Sequence, residues 1–320
     1  MRSRVVVAVA MALALASVTG AVSRVLVSTP SKPPAAHATL APRLAAYLGT
    51  FEPGAPPDYA PVTSFAKAAG RPPNLVGYYS GWAQPFNLAF ANTLRRRGVI
   101  PFVQIDPTDA SVSAIANGSY DEYLRSYADS VRNFSDAVVI GFGHEMNASW
   151  YTWGYKHVAP ATFIAAWRHL VTLFRQQGAD NVTWLWTVEA DGPETDPGPL
   201  RSWWPGASYV TWIGVDGYYY RPADTFASVF GQTIRQVRSF SRAPVLLSEC
   251  AVGPAAGSFA KIQDLFKGMS TYDTLGLVWF DKKQTGGRYR QDWRLEDSPQ
   301  AEISFRLGVK DELMPVTPTG

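Results

Sequence analysis

Ala137-Val138-Val139-Ile140-Gly141-Phe142-Gly143-His144-Glu145-Met146-Asn147 starts as a strand and stops on chemistry. The run to Phe142 is almost unbroken apolar and rich in β-branched residues, the pattern of a buried strand. It ends abruptly on an imidazole, a carboxylate and an amide, with Trp150, Tyr151, Trp153 and Gly154 close behind. Aromatic faces beside a carboxylate suit a sugar ring, which has apolar C–H faces and a polar rim. Taken alone, the segment also fits a strand end with a solvated Glu.

Working outward, Ala243-Pro244-Val245-Leu246-Leu247-Ser248-Glu249-Cys250 is a second buried-type strand ending on a Glu. Two such strands fit paired carboxylates at the C-terminal mouth of a parallel barrel. Glycoside hydrolysis needs such a pair, one proton donor and one nucleophile or base. The remaining segments test the count. Candidate strands lie at Ala45–Gly49, Asn74–Tyr79, Ile100–Ile105, Val182–Thr187, Trp212–Asp216 and Leu275–Phe280. The glutamates therefore end the fourth and seventh of eight strands.

Helical spacing of apolar residues separates them at Tyr123–Phe134, Phe163–Gln176, Phe226–Phe240 and Phe259–Met269. Ser298-Pro299 opens a last helix, with Ser as cap and Pro in the first turn. Asp191 to Pro205 is Pro-rich and predicts a loop with a short helix. Strands alternating with helices in this number give a single-domain (β/α)8 barrel, class α/β, over residues 44–310.

Residues 1–28 read as a leader. Arg2 and Arg4 precede an apolar run from Val5 to Val18, with small residues from Ala16 to Ala21. This is a signal peptide, or a retained membrane anchor, since no charge interrupts the run before Arg24. Either reading predicts a secreted or extracytoplasmic protein. A Pro/Ala-rich linker follows at 29–43, and 311–320 reads as an irregular tail. Removing Arg2, Arg4 and Arg24 from the 29 basic residues leaves 26, equal to the 26 acids, so the basic balance does not argue for nucleic acid. The lone Cys250 excludes an intramolecular disulfide and reads as a small buried residue. The 11 Trp exceed what a plain core needs and suit a carbohydrate site.

His144-Glu145-Met146-Asn147, Trp150-Tyr151 and Trp153-Gly154 together resemble the signature of glycoside hydrolase family 26, retaining barrel enzymes that include β-mannanases. Trp212–Tyr218, Leu247-Ser248-Glu249, Val278-Trp279-Phe280 and Asp292-Trp293-Arg294 resemble further parts of that barrel. The resemblance implies Glu145 as acid/base and Glu249 as nucleophile. It implies that His144 contacts substrate or positions the acid and that Tyr218 hydrogen-bonds the nucleophile. Trp279 would floor the cleavage point and Trp150 would line the leaving-group side, with Trp153 and Asp216 completing the substrate-binding set. The implied substrate is a β-linked polysaccharide or oligosaccharide, with β-1,4-mannan first, hydrolysed by a monomer without metal or cofactor. In a retaining mechanism the two carboxyl groups stand about 5–5.5 Å apart.

Three positions depart from the family. An Arg usually stands three residues before the His, where this chain has Gly141. That Arg supports the nucleophile's charge, so another cation or an extra hydrogen-bond donor is expected near Glu249. The third strand ends Gln104-Ile105-Asp106-Pro107 where a Trp-Glu-Pro-like run is common, and the fifth ends on Glu189 where an Asn is often found. A zincin reading of His144-Glu145 fails, because the second His it needs is Ala148. The rival classes are a non-catalytic glycan-binding barrel, which the missing Arg favours, and a transglycosylase using the same carboxylates.

Overall fold

The computed structural model describes residues 40–286 and 290–314. The leader, most of the linker and the end of the tail lie outside them. Eight parallel strands close into a barrel in sequence order: β1 Tyr47–Phe51, β2 Leu75–Gly81, β3 Ile100–Asp106, β4 Val138–Phe142, β5 Val182–Glu189, β6 Trp212–Tyr219, β7 Val245–Val252 and β8 Thr274–Phe280. The ring closes by pairing β8 to β1, from Gly276 beside Tyr47 to Phe280 beside Phe51.

Eight α-helices occupy the connections among the described residues: α1 Ala60–Ala69, α2 Leu88–Arg95, α3 Val112–Ala116, α4 Asp121–Phe134, α5 Pro160–Gln176, α6 Gln232–Phe240, α7 Ser258–Thr271 and α8 Pro299–Glu312. The four helices read from apolar spacing and the one read from the Ser298-Pro299 cap all reappear here. One is split, because Ala227–Gly231 forms a π-helical turn before α6 takes over at Gln232. The Pro-rich 191–205 loop carries a 3₁₀ turn at Leu200–Trp203, as its composition predicts. The Ser298 hydroxyl accepts the amide of Ala301, capping α8 with Pro299 in its first turn. That helix runs on to Glu312, beyond the expected start of the irregular tail at 311. Buried Ser304, Phe305, Gly308 and Val309 hold it down, and Glu312 accepts a hydrogen bond from Ser270 on α7.

Inside the barrel, each strand sends a side chain into a floor, Tyr47, Leu75, Phe102, Val139, Leu185, Trp212, Leu246 and Leu275, and β8 adds a second, Val278. Tyr47 meets Trp212 edge-on at 4.8 Å between ring centres. Burying a side chain of this size contributes about 1.5–3 kcal/mol, so the floor alone is a large stabilising block. Beneath it the two ends of the described chain meet. The Met314 amide donates to the Ala45 carbonyl at 2.8 Å, and Arg71 donates to the Met314 carbonyl at 3.0 Å. The second and larger apolar layer lies between strands and helices.

Two register shifts decide what faces the mouth. In β7, Leu246 pairs with Gly214 but Glu249 pairs with Asp216, so β7 holds one residue more than β6 over this interval. Such a bulge re-aims side chains. Ser248 and Glu249 both point inward, while Leu247 and Cys250 pack outward. In β8, Leu275 and Val278 both belong to the floor, three residues apart, with the irregularity at Gly276, whose φ is +147°. From there Leu277 and Trp279 face the helices and Phe280 faces the mouth.

At the β1/β8 seam a group of acids just past the strand ends is buried behind the mouth, outside its lining. Thr50 donates to Glu52 at 2.6 Å, and the Leu295 amide donates to Asp281 at 2.6 Å. Burial, with Glu296 beside it, pushes the Glu52 carboxyl up to about 8. Burial and then Glu52 push Asp281 up to about 10.

Candidate active site

The strand ends open into a cavity of about 760 Å³. Its rim includes Phe51, Tyr79, Asp106, His144, Glu145, Trp150, Tyr151, Glu189, Tyr218, Glu249 and Phe280. All eight strands or the residues just past them contribute, so closure of the barrel is what gathers the site.

Past β4 the chain turns sharply across the mouth. Gly143 and Glu145 both have φ of +53°, and the Glu145 amide donates to Thr187 on β5 at 3.1 Å. A Glu in this region of backbone space is strained by about 1–3 kcal/mol, held here by neighbours on both sides. The Glu145 side chain is 5% exposed and accepts the indole N–H of Trp150 at 2.8 Å. Burial raises its carboxyl, the His144 charge pulls it back and Glu249 raises it again, leaving it at about 7. The Glu189 carboxyl is hydrogen-bonded to it.

Glu249 receives two phenol donors. Tyr218 donates to one oxygen at 2.5 Å and Tyr79 donates to the other. Hydrogen bonds of this kind favour a charged acceptor. Tyr79, at the end of β2, is thus the extra donor anticipated beside Glu249. Oxygens of Glu145, Asp216 and Glu249 lie within 4.8 Å of one another. Among the described residues this trio could by spacing approach a cation. Burial, then Glu249 and Glu145, hold the Asp216 carboxyl far above the usual carboxylate range.

His144 supplies positive charge. Its Nδ1 lies 2.8 Å from Asp106 and its Nε2 lies 3.0 Å from the Tyr151 hydroxyl. Burial alone would depress the imidazolium, but Asp106, Glu145 and Glu249 outweigh it and lift the group to about 10. The space of the missing Arg is filled by another residue. A Cβ on Gly141 would sit 1.8 Å from Oε1 of Gln104, whose Nε2 donates to Thr187 at 3.1 Å.

The expected residues therefore divide. Glu145, Glu249, His144, Trp150 and Tyr218 come together on the cavity. Trp153 does not reach it. It is 3% exposed, lies flat behind Tyr151 at 4.3 Å and donates to the His144 carbonyl. Asp216 is fully buried beneath the glutamates, accepting from Ser248. Trp279 is turned to the helix layer, donating to the Trp293 carbonyl and meeting Phe305 at 5.2 Å. The Gly276 irregularity gives the mouth position to Phe280, which stacks on Phe51 at 5.0 Å. Residue-by-residue reading also missed Tyr79, Phe51 and Tyr151. Tyr79 sits at a strand end, and the rule that strand ends face the mouth could have marked it. Cys250 is buried and outward-facing, an inert packing residue.

Comparison with known proteins bears on this geometry. The sequence profile described as glycosyl hydrolase family 26 matches residues 104–302. Endoglucanase H of Acetivibrio thermocellus is 27% identical over 284 residues, which cover 83% of this chain and 30% of that protein. Beta-1,3-xylanase TXYA of Vibrio sp. is 25% identical over 207 residues, 60% of this chain and 42% of that protein. The chain thus spans less than half the length of either relative. Among solved structures, the catalytic domain of the GH26 endo-beta-1,4-mannanase of Bacillus sp. JAMB-750 superposes with a TM-score of 0.65 at 14% identity, covering 83% of this chain and 86% of that one. At that identity the superposition speaks to the fold, a (β/α)8 barrel.

Proposed function

The chain belongs to glycosyl hydrolase family 26, and on that premise we propose that it cleaves a β-linked polysaccharide by double displacement, with Glu249 as nucleophile and Glu145 as acid/base. The observation that carries this reading is the pair of buried glutamates, with oxygens within 4.8 Å, at the mouth of one aromatic-walled cavity. A close pair supports retention, because inversion needs about 6.5–9.5 Å to admit water between the carboxyls.

Each group suits its task. Glu249 attacks the anomeric carbon while Tyr79 and Tyr218 hold both its oxygens. Glu145, titrating near 7, gives its proton to the leaving oxygen and later takes one from water. Phe280 and Phe51 offer an apolar wall to the sugar, and Trp150, 43% exposed, lines the leaving-group side. The double phenol contact on Glu249 argues against a binding-only barrel, which has no use for a poised nucleophile.

For the sugar, the motif resemblance favours β-1,4-mannan. The match to Endoglucanase H over most of this chain supports a β-glucan as the second reading. Reducing-end release from β-mannan, mixed-linkage β-glucan, xylan and β-1,3-glucan separates them, and the product pattern separates hydrolysis from transglycosylation. The charged and apolar leader supports action outside the cytoplasm.

The roles are tested by alanine variants shown to fold. Glu249→Ala loses turnover on every substrate. Glu145→Ala keeps the first step on an activated aryl glycoside, and azide accelerates it to a β-glycosyl azide from a β-glycoside. Substantial activity of a clean Glu249→Ala preparation would remove the nucleophile assignment. Azide rescue confined to Glu249→Ala would remove that of Glu145.

A further inference from the structure

Glu189 ends β5 where the family often has an Asn, and it is built into the site. Its amide donates to Asn147 Oδ1 at 2.9 Å, and Asn147 Nδ2 donates back to its carbonyl at 2.8 Å. Asn147 is two residues past Glu145 on the same turn, so the two glutamates are fastened together through one amide side chain. Glu189 lines the catalytic cavity and also an adjoining hollow of about 420 Å³ that shares Trp150 and Tyr218. Its carboxyl is hydrogen-bonded to that of Glu145. Two carboxyl groups can share a hydrogen bond only if one carries a proton.

We propose that Glu189 is a positioning residue whose own protonated carboxyl donates a hydrogen bond to Glu145 and holds it ready to release its proton. This rests on the acid/base role given to Glu145 above. The neighbours decide where the proton sits. Glu145 has the Trp150 N–H and, beside it on the turn past β4, His144. Glu189 faces Glu145 from the turn past β4, Asp216 from β6 and Glu249 from β7, all acids. Tyr218 from β6 shares the cavity wall, and Arg221, which lines the adjoining hollow, is paired with Asp224. Burial first, and then these acids, hold the Glu189 carboxyl well above the usual range. When Glu145 passes its proton to the leaving oxygen, the O–H of Glu189 remains in place and its hydrogen bond strengthens on the new carboxylate. A bond stronger after proton loss than before it assists that loss.

The test follows the ionisation of Glu145 by ¹³C-carboxyl NMR, assigned with Glu145→Gln, in the wild type and two variants. Glu189→Gln keeps the shape and a neutral donor, so Glu145 should ionise within about half a pH unit of wild type. Glu189→Met keeps the bulk and excludes water without donating, so the ionisation should move up by about one unit or more. A shift of about one unit in either direction in Glu189→Gln overturns the proposal, a downward one being the mark of an ionised Glu189. So does an unmoved Glu145 in folded Glu189→Met. If Glu189→Met does not fold, Glu189→Gln decides alone. The titration needs no substrate, so its outcome is independent of the azide experiment that judges the glycosidase reading.

Discussion

Gly141→Ala puts a single methyl group against Gln104. The backbone at Gly141 lies outside the left-handed region, so only space excludes a side chain. The added carbon would stand 1.8 Å from Oε1, 2.7 Å from Cδ and 3.2 Å from Nε2 of Gln104. Gln104 is 3% exposed, and moving it breaks its bond to Thr187. Overpacking a full core costs about 1–3 kcal/mol, and stranding a buried polar group costs about 1–3 kcal/mol. The two overlap, so we expect a loss of about 3 kcal/mol, or roughly 6–12 °C in melting temperature for a domain of this size. Gln104→Ala removes all three clashing atoms. On that background Gly141→Ala should change stability by less than about 0.5 kcal/mol. The coupling in a double-mutant cycle, read from urea unfolding, should therefore approach 3 kcal/mol. If Gly141→Ala costs the same with and without Gln104, Gln104 is not what fills the space of the family's Arg.

Three further outcomes follow from the geometry. With Glu145 titrating near 7 and needed as an acid, kcat/KM should fall about tenfold per pH unit above that point; a flat profile to pH 9 would contradict this. Thermal stability should be greatest in mildly acid buffer. Glu52 and Asp281 bind protons more tightly folded than unfolded, so stability on the order of a few kcal/mol is lost as pH climbs from about 4.5 through 8 and on towards 10. His144, raised to about 10, adds to the same slope above its unfolded value near 6.5. The pair Glu52→Gln and Asp281→Asn should flatten the melting temperature across that range. Finally, Phe280→Ala should raise KM about tenfold or more with little loss of stability, while Trp279→Phe should lower the melting temperature and leave KM alone; the reverse pattern would restore Trp279 to the cavity.

The strands were legible because eight apolar runs are a strong signal and a barrel must bury all of them. The ends of β4 and β7 were legible because a Glu closing such a run has no packing reason to be there. The resemblance carried the reading astray at β8, where it implied Trp279 at the floor of the cleavage point. The shift at Gly276 exchanges it with Phe280, and no rule of sequence periodicity marks that shift. Trp153 misled differently: an aromatic in a site motif can serve as backing for the aromatic that touches the cavity, and Tyr151 hides it. The compensation for Gly141 was invisible because Gln104 lies on another strand. Only closure of the barrel makes them neighbours.

The hydrogen bond between Met314 and Ala45 has a topological consequence. A barrel whose first and last described segments touch is, in effect, a ring of eight strands with one gap. Where the gap falls is then of little consequence to the fold. A short peptide joining 314 to 45, with new ends opened in the exposed turn after α2, would keep every strand neighbour and every side chain of the mouth. The site belongs to the closed ring, and the order in which the chain is threaded through it is secondary.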